Sequence, residues 1–307
     1  MENLNSGEVF GYYSVPRLPA TLVSMSFSSV NAAWHPDWIR PDWPAPAHIH
    51  ALCTTRAGGV SVTPYDSFNL GDHVGDAPEA VQANRQRLQA ALQADTPEAQ
   101  LVFLRQVHGI QTAYLDGGSS DGTCADACVA TTPGQVCTIM VADCLPVLLT
   151  DRQGRAVAAA HAGWRGLVDG VLESVFDAFC AQVLGEVTPA AKAALASSTL
   201  AWLGPCIGPA AFEVGPEVRA AFCSRLPAAA VHFQPHSTGV DKYWADLAAL
   251  ARQRLHALGI TQIYGNDSSS PWCTVANASR FFSHRRDAIA LGSSGRMAAC
   301  IWRDEAG

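Results

Sequence analysis

Apolar and polar positions follow two periods along most of this 307-residue chain. A period of two marks strands and a period near 3.6 marks helices. His48-Ile-His-Ala-Leu-Cys-Thr-Thr55 reads as a strand that stops at the turn signal Ala-Gly58-Gly59. Asp76-Ala-Pro78-Glu79 opens a helix, with an acidic first turn and a proline just inside it. Val81, Leu88 and Leu92 then keep one apolar face through Ala94. Leu101 to Val107 reads as a strand running directly into His108, and Gln135 to Ala142 as a buried strand with Asp143 and Cys144 at its end. Leu145 to Leu149 continues extended, Asp151-Arg-Gln-Gly154 turns the chain back, and Ala156 to Ala160 is a strand of small residues that stops at His161. A helix is predicted from about Leu167, with Val171, Leu172, Val175 and Phe179 on its inner face.

Later segments repeat the mixture. Thr199 to Leu203 reads as a strand, Gly215-Pro216-Glu217 opens a short helix, and Asp246 to Leu258 is a helix closed by Gly259. Phe281-Phe282 and Met297 to Trp302 are expected to form a strand pair. Residues 1–47 differ from everything after them. Trp34, Trp38 and Trp43 lie among Pro36, Pro41, Pro44 and Pro46, a density of proline that prevents regular helix. With neither an internal repeat nor a long linker, the expected organisation is an N-terminal Pro/Trp-rich extension over 1–47 and one catalytic domain over 48–307. Strands joined through short turns argue for an α+β domain with mixed sheets.

Composition narrows the class. An apolar fraction of 49% with 15% charged residues describes a globular protein. A formal charge of −7 disfavours nonspecific nucleic-acid binding, although a local basic pocket can still hold a small anion. The N-terminal residues lack the basic and apolar regions of a secretory signal, and no run of about 18 apolar residues suggests a membrane span. Most of the ten cysteines sit among Ala, Val, Leu and Ile, as small core residues do. The expectation is a cytoplasmic protein with reduced thiols. Cys124-Ala-Asp-Ala-Cys128 lacks a second ligand pair nearby and is read as two thiols.

Three short segments carry candidate chemistry: Gln-Val-His108-Gly, Ala-Asp143-Cys144-Leu-Pro and Ala-His161-Ala-Gly-Trp-Arg165-Gly. Two imidazoles and a thiolate would suit a zinc ion whose fourth position stays open for water or substrate. The intervals are long, 36 residues (144 − 108) and 17 residues (161 − 144), so only the fold can bring the three together. A buried cysteine is also a common core residue, and a lone histidine is more often a satisfied polar group than a ligand. Both readings stand on spacing alone.

Further blocks occur in a fixed order around these three: Thr54-Thr55-Arg56-Ala-Gly58-Gly59, Asn69-Leu-Gly-Asp-His73, Leu203-Gly-Pro-Cys206-Ile-Gly, Phe281-Phe-Ser-His284-Arg-Arg-Asp287 and Gly295-Arg296-Met. Together they closely resemble the YfiH family, also called the laccase-domain or polyphenol-oxidase-like family, over roughly residues 48 to 303. The resemblance implies a layered α/β/β/α fold and zinc bound by His108, Cys144 and His161, with copper chemically natural in the same site. It also implies purine nucleoside phosphorylase activity toward adenosine, inosine, guanosine and methylthioadenosine, with phosphate as co-substrate, and adenosine deaminase activity as well. Cys206 and Cys273 are expected to stay outside the metal shell.

The remaining site residues follow from the chemistry that this resemblance implies. Arg56 and Arg165 are candidate catalytic residues, placed near anion-favouring glycine or helix-start positions, and Arg56 is expected to hold the attacking phosphate. Asp143 is a third, as a carboxylate beside the metal or a substrate contact. Asn69, Arg285 and Arg286 are candidate substrate-binding residues. His284 stands where the family pattern has tyrosine, so a role for that phenol does not carry over. Three competing readings remain, one of them a non-enzymatic, metal-stabilised interaction protein. Multicopper phenol oxidation needs many histidines, commonly in His-x-His pairs, and the one pair here is His48-Ile-His50 among ten histidines. A cysteine hydrolase would use Cys144 as nucleophile and His161 as base.

Overall fold

A computed structural model of the chain describes residues 34–237 and 241–305. Most of the expected N-terminal extension therefore lies outside the described residues. Within them the first half runs β1 (Ile49–Cys53), α1 (Pro78–Gln93), β2 (Gln100–Phe103), β3 (Thr112–Leu115), β4 (Ala127–Ala130), β5 (Gln135–Val141), β6 (Leu145–Asp151) and β7 (Val157–Ala162). The second half runs α2 (Trp164–Asp169), α3 (Val171–Leu184), α4 (Pro189–Ser198), β8 (Thr199–Leu203), β9 (Glu213–Val214) and α5 (Pro216–Arg225). It ends with β10 (Phe233–Pro235), β11 (Tyr243–Ala245), α6 (Leu247–Ala257), β12 (Gln262–Gly265), α7 (His284–Leu291) and β13 (Met297–Arg303).

Two mixed sheets dominate. One has the order β1-β13-β5-β2, the other β12-β8-β6-β7-β4-β3, and a small sheet joins β10, β11 and β9. Each large sheet contains both parallel and antiparallel pairs, as β2–β5 and β5–β13 show in the first and β3–β4 and β4–β7 in the second. Strand periodicity explains the layering. Along β13, Met297, Ala299 and Ile301 enter one core while Ala298, Cys300 and Trp302 enter another. Along β7, Val157 and Ala159 face the same inter-sheet core as Met297, whereas Ala158 and Ala160 face a third. That third core is shared with Phe176 and Phe179 of α3 and Leu250 of α6, and the outermost one with Leu88 and Leu92 of α1. Helix, sheet, sheet and helix are thus stacked as layers, the arrangement the sequence resemblance implies. Both faces of β5 through β7 are buried, which is why those strands read as continuous apolar runs.

Several elements differ from the sequence expectation, each for a local reason. β2 stops at Phe103, so the strand does not run into His108; residues 104–111 form a loop. β7 continues to Ala162, which places His161 inside a strand rather than at its end. The helix expected from about Leu167 is two helices, broken at Gly170 with φ of 108°, a left-handed conformation that glycine adopts without Cβ strain. Phe281 and Phe282 are fully buried but form no strand, because Ser283 caps α7 immediately after them. β13 instead pairs with β1 and β5. Residues 34–47 contain no helix, as their prolines dictate, and dock aromatic groups: Trp38 lies 5.1 Å from Phe68, and Ile39 bridges Cys53.

Candidate metal centre

Only residues 142–144 join β5 in one sheet to β6 in the other. So short a crossing forces Asp143 to a φ of 87°, which aspartate tolerates better than most residues. The same turn delivers Cys144 to the end of the inter-sheet layer. His161 reaches that layer from β7, in step with Val157 and Ala159. His108 arrives from the loop after β2, also at positive φ, 61°. Gly163 lets the three close up: a Cβ there would lie 2.9 Å from His108 Cδ2 and 3.0 Å from Cys144 Sγ.

The result is a compact donor set. One ligand atom from each of His108, Cys144 and His161 lies within 4.8 Å of the others, the one such group of His, Cys, Asp or Glu among the described residues. Cys144 Sγ is 3.7 Å from His108 Nε2. Tetrahedral zinc with ordinary Zn–N and Zn–S lengths would put those atoms about 3.6 Å apart, so this edge already has the right length. Two nitrogens and one sulfur also match the preferences of zinc and copper.

Electrostatics prepare the same atoms. Burial opposes a Cys144 thiolate, but the neighbouring His161 and His108 outweigh it and bring the thiol down to about 6. Burial likewise opposes charge on His161, yet Cys144 and Asp126 together raise it to about 9. Burial works against ionised Asp126 too. Its hydrogen bond from His161 and those from the Gly109 and Val107 amides nevertheless hold it below the usual carboxylate range.

A cavity of about 410 Å³ opens over the donor set, a size suited to a small-molecule ligand. Met140, Trp164, Ile207, Phe212 and Leu247 supply apolar wall, and His73, Arg165, His284, Arg285 and Arg296 the polar rim.

The expected site residues divide. Asp143 and Arg165 both line the cavity with the three ligand candidates. Arg165 is exposed, stacks 4.5 Å from the Trp164 ring, and has no hydrogen bond or ion pair among the described residues. Asp143 accepts from Thr274 Oγ1 at 2.5 Å and from the Arg285 amide at 2.6 Å, so its carboxylate ties two wall segments to the β5–β6 turn. Arg285 reaches the cavity while donating to the Ala211 and Glu213 carbonyls.

Three others are not brought to it. Arg56 donates to the Asp66 backbone and carboxylate and to the Ala278 carbonyl, and it rests over Phe282. With its donors so engaged, Arg56 has no place against a phosphate in this cavity. Arg286 is spent on Asp287 and on the carbonyls of Thr274, Val275 and Phe281. Asn69 is fully buried and bonds Gly71, Asp76 and the amide of Arg296, which makes it a support for the Arg296 segment.

Sequence reading passed over Asp126, which is fully buried and hydrogen-bonded to His161 and to the His108 loop. An acid between Ala125 and Ala127, just before a buried strand, was the available signal. Arg296 was also missed; it lines the cavity and holds the Ser294 and Gly295 carbonyls through Nη1.

Residues 50–304 match the family described as multi-copper polyphenol oxidoreductase laccase. The chain belongs to this laccase-like YfiH family. Among its relatives is Purine nucleoside phosphorylase YfiH of Escherichia coli K12, 48% identical over 264 residues that cover 86% of this chain and 98% of that one. A purine nucleoside phosphorylase of Pseudomonas aeruginosa is 46% identical, with the same coverage. In fold, the YfiH-family chain superposes on a crystal structure of a Neisseria meningitidis protein with a TM-score of 0.74 and 43% identity, covering 87% and 99% of the two chains. A Bacillus licheniformis YfiH structure gives a TM-score of 0.70 at 29% identity, over 83% and 93%. Among the described residues, no helix is long and apolar enough to cross a membrane.

Proposed function

We propose that this protein is a zinc-dependent purine nucleoside phosphorylase of adenosine, inosine, guanosine and methylthioadenosine, with adenosine deamination at the same site. The observation that carries this reading is the donor set of His108, Cys144 and His161 at the floor of a cavity with one apolar and one basic wall. The names of the relatives supply the reaction class.

His108, Cys144 and His161 would hold the zinc. Bound there, it would act as a Lewis acid and lower the pKa of water at its open position, the chemistry that deamination at C6 requires. Trp164, Ile207, Phe212 and Leu247 exclude water from the flat base. Arg165, which has no ion pair among the described residues, binds the phosphate dianion, and His284, also lining the cavity, meets substrate. Phosphate oxygen bonds to C1′ as the bond from C1′ to the base breaks, and the electron pair leaves on the purine. A phosphate fixed beside C1′ favours the cationic transition state there. Asp143 positions both walls and does not touch the reacting atoms. Catalysis is assigned to the domain from residue 48 onward, working on cytoplasmic nucleosides, and copper is the alternative loading of the same donors.

One further observation favours a second reading. His161 Nδ1 lies 2.8 Å from Asp126 Oδ1, so Cys144, His161 and Asp126 also have the order of nucleophile, base and orienting carboxylate. A cysteine hydrolase would need that thiol free of metal. Protein purified without chelator should carry one zinc per chain and convert inosine to hypoxanthine and ribose 1-phosphate only when phosphate is present. Metal-loaded protein that leaves nucleosides intact and oxidises phenols with copper would sink the purine reading, and metal-free protein with an alkylation-sensitive hydrolase activity would favour the second.

A further inference from the structure

One of the three donor residues reaches the site on a loop, and another on a paired strand that fixes its backbone but not which ring nitrogen it presents. His108 sits in a loop at left-handed φ, a conformation that disfavours a residue with a Cβ. An imidazole on a strand can present either nitrogen, depending on what binds the other. Both problems are met by one buried side chain. Asp126 Oδ1 accepts from the His108 amide at 2.9 Å and from His161 Nδ1 at 2.8 Å. Its Oδ2 accepts from the Gly109 amide at 2.7 Å and the Val107 amide at 3.1 Å. The main-chain carbonyl of Asp126 also takes the His161 amide, at 2.7 Å.

We propose that Asp126 is the positioning residue that assembles both imidazole donors of the metal centre, an inference that rests on reading His108, Cys144 and His161 as metal ligands. Three successive amides, 107 to 109, curl around its carboxylate as they would around a bound anion, and this sets the loop that carries His108. The fourth donor, His161 Nδ1–H, fixes the tautomer whose Nε2 lone pair faces Cys144 and His108. Cys144 takes no part in this arrangement; the β5–β6 turn places it independently. An amide at 126 would keep one acceptor oxygen and set an NH2 against N–H groups, so at least one donor would lose its partner.

Asp126→Asn should therefore weaken zinc binding by about 10- to 100-fold, measured by chelator competition beside wild type. Cobalt(II) substitution gives the matching signature: the thiolate-to-cobalt absorption should persist through Cys144, while the ligand-field bands change as imidazole is lost. Zinc affinity and cobalt bands equal to wild type would overturn the inference and leave the metal centre standing. A wild-type protein that binds no zinc would overturn both. If the variant does not fold, 15N spectra of the wild-type histidines serve instead. His161 Nδ1 should carry a hydrogen-bonded proton in chelator-treated and zinc-loaded protein alike, and zinc coordinated through Nδ1 would overturn the inference.

Discussion

Cys53 is buried in the inter-sheet layer and Cys144 is half-buried at its edge, and their thiols are driven in opposite directions. Burial alone pushes Cys53 up to about 12, with Arg280 giving only slight relief. Burial opposes the Cys144 thiolate as well, yet it falls to about 6 because two imidazoles stand beside it. Burial therefore does not make a thiol inert or reactive; the nearest cation decides.

The sharpest test is alkylation of chelator-treated protein at pH 7. The two values imply thiolate populations differing by about five orders of magnitude, so iodoacetamide should label Cys144 and leave Cys53 untouched. Since the Cys144 thiol titrates near 6, its labelling rate should fall as pH drops below 6 and level off above it. Peptide mapping that finds Cys53 modified first would break the comparison.

Removing each thiol comes next. Cys144→Ala should abolish stoichiometric zinc and cut inosine phosphorolysis by at least about 100-fold, because residues that act as a unit fail together. Cys53→Ala should keep metal and turnover and lose only about 1 kcal/mol of stability in a denaturant melt. Turnover surviving in Cys144→Ala would detach the reaction from the donor set.

The arginines repeat the contrast at smaller scale. Arg165 is free at the rim, whereas Arg56 is bound into its surroundings. Arg165→Ala should raise the KM for phosphate about 10-fold, the worth of one charge-assisted hydrogen bond, and leave Tm unchanged. Arg56→Ala should lower stability by about 1–3 kcal/mol through the Asp66 and Ala278 acceptors it strands. A larger phosphate effect from Arg56 than from Arg165 would reverse these assignments. Smallest of all, Cys206→Ser and Cys273→Ser should leave zinc content at one per chain, since neither thiol belongs to the donor group.

Much of this was legible in the residues. Strands buried on both faces announced themselves as apolar runs, so β5, β6 and β13 were found nearly to the residue. The three donor candidates stood out as soft ligands beside glycines and apolar runs, but only the family resemblance joined them into one set. The loop that carries His108 was not, since Leu101 to Val107 is as apolar as a strand and only the partner of its amides tells otherwise. That partner, Asp126, lies 18 residues on (126 − 108) and has no periodic signal. Arginines were the least readable. Arg56, Arg165, Arg285 and Arg286 carry identical chemistry, and only the tertiary neighbours of each guanidinium separate support from site.

Gly163 ties the history of the chain to its chemistry. Its missing methyl is the space in which His108 and Cys144 meet, with clearances of 2.9 and 3.0 Å to a Cβ. A descendant that keeps the three donors has no freedom at 163, while one that abandons them is released from glycine at once. Drift at this position and loss of the donor set should accordingly travel together, so that a single codon two places after His161 records whether a lineage still uses the cage.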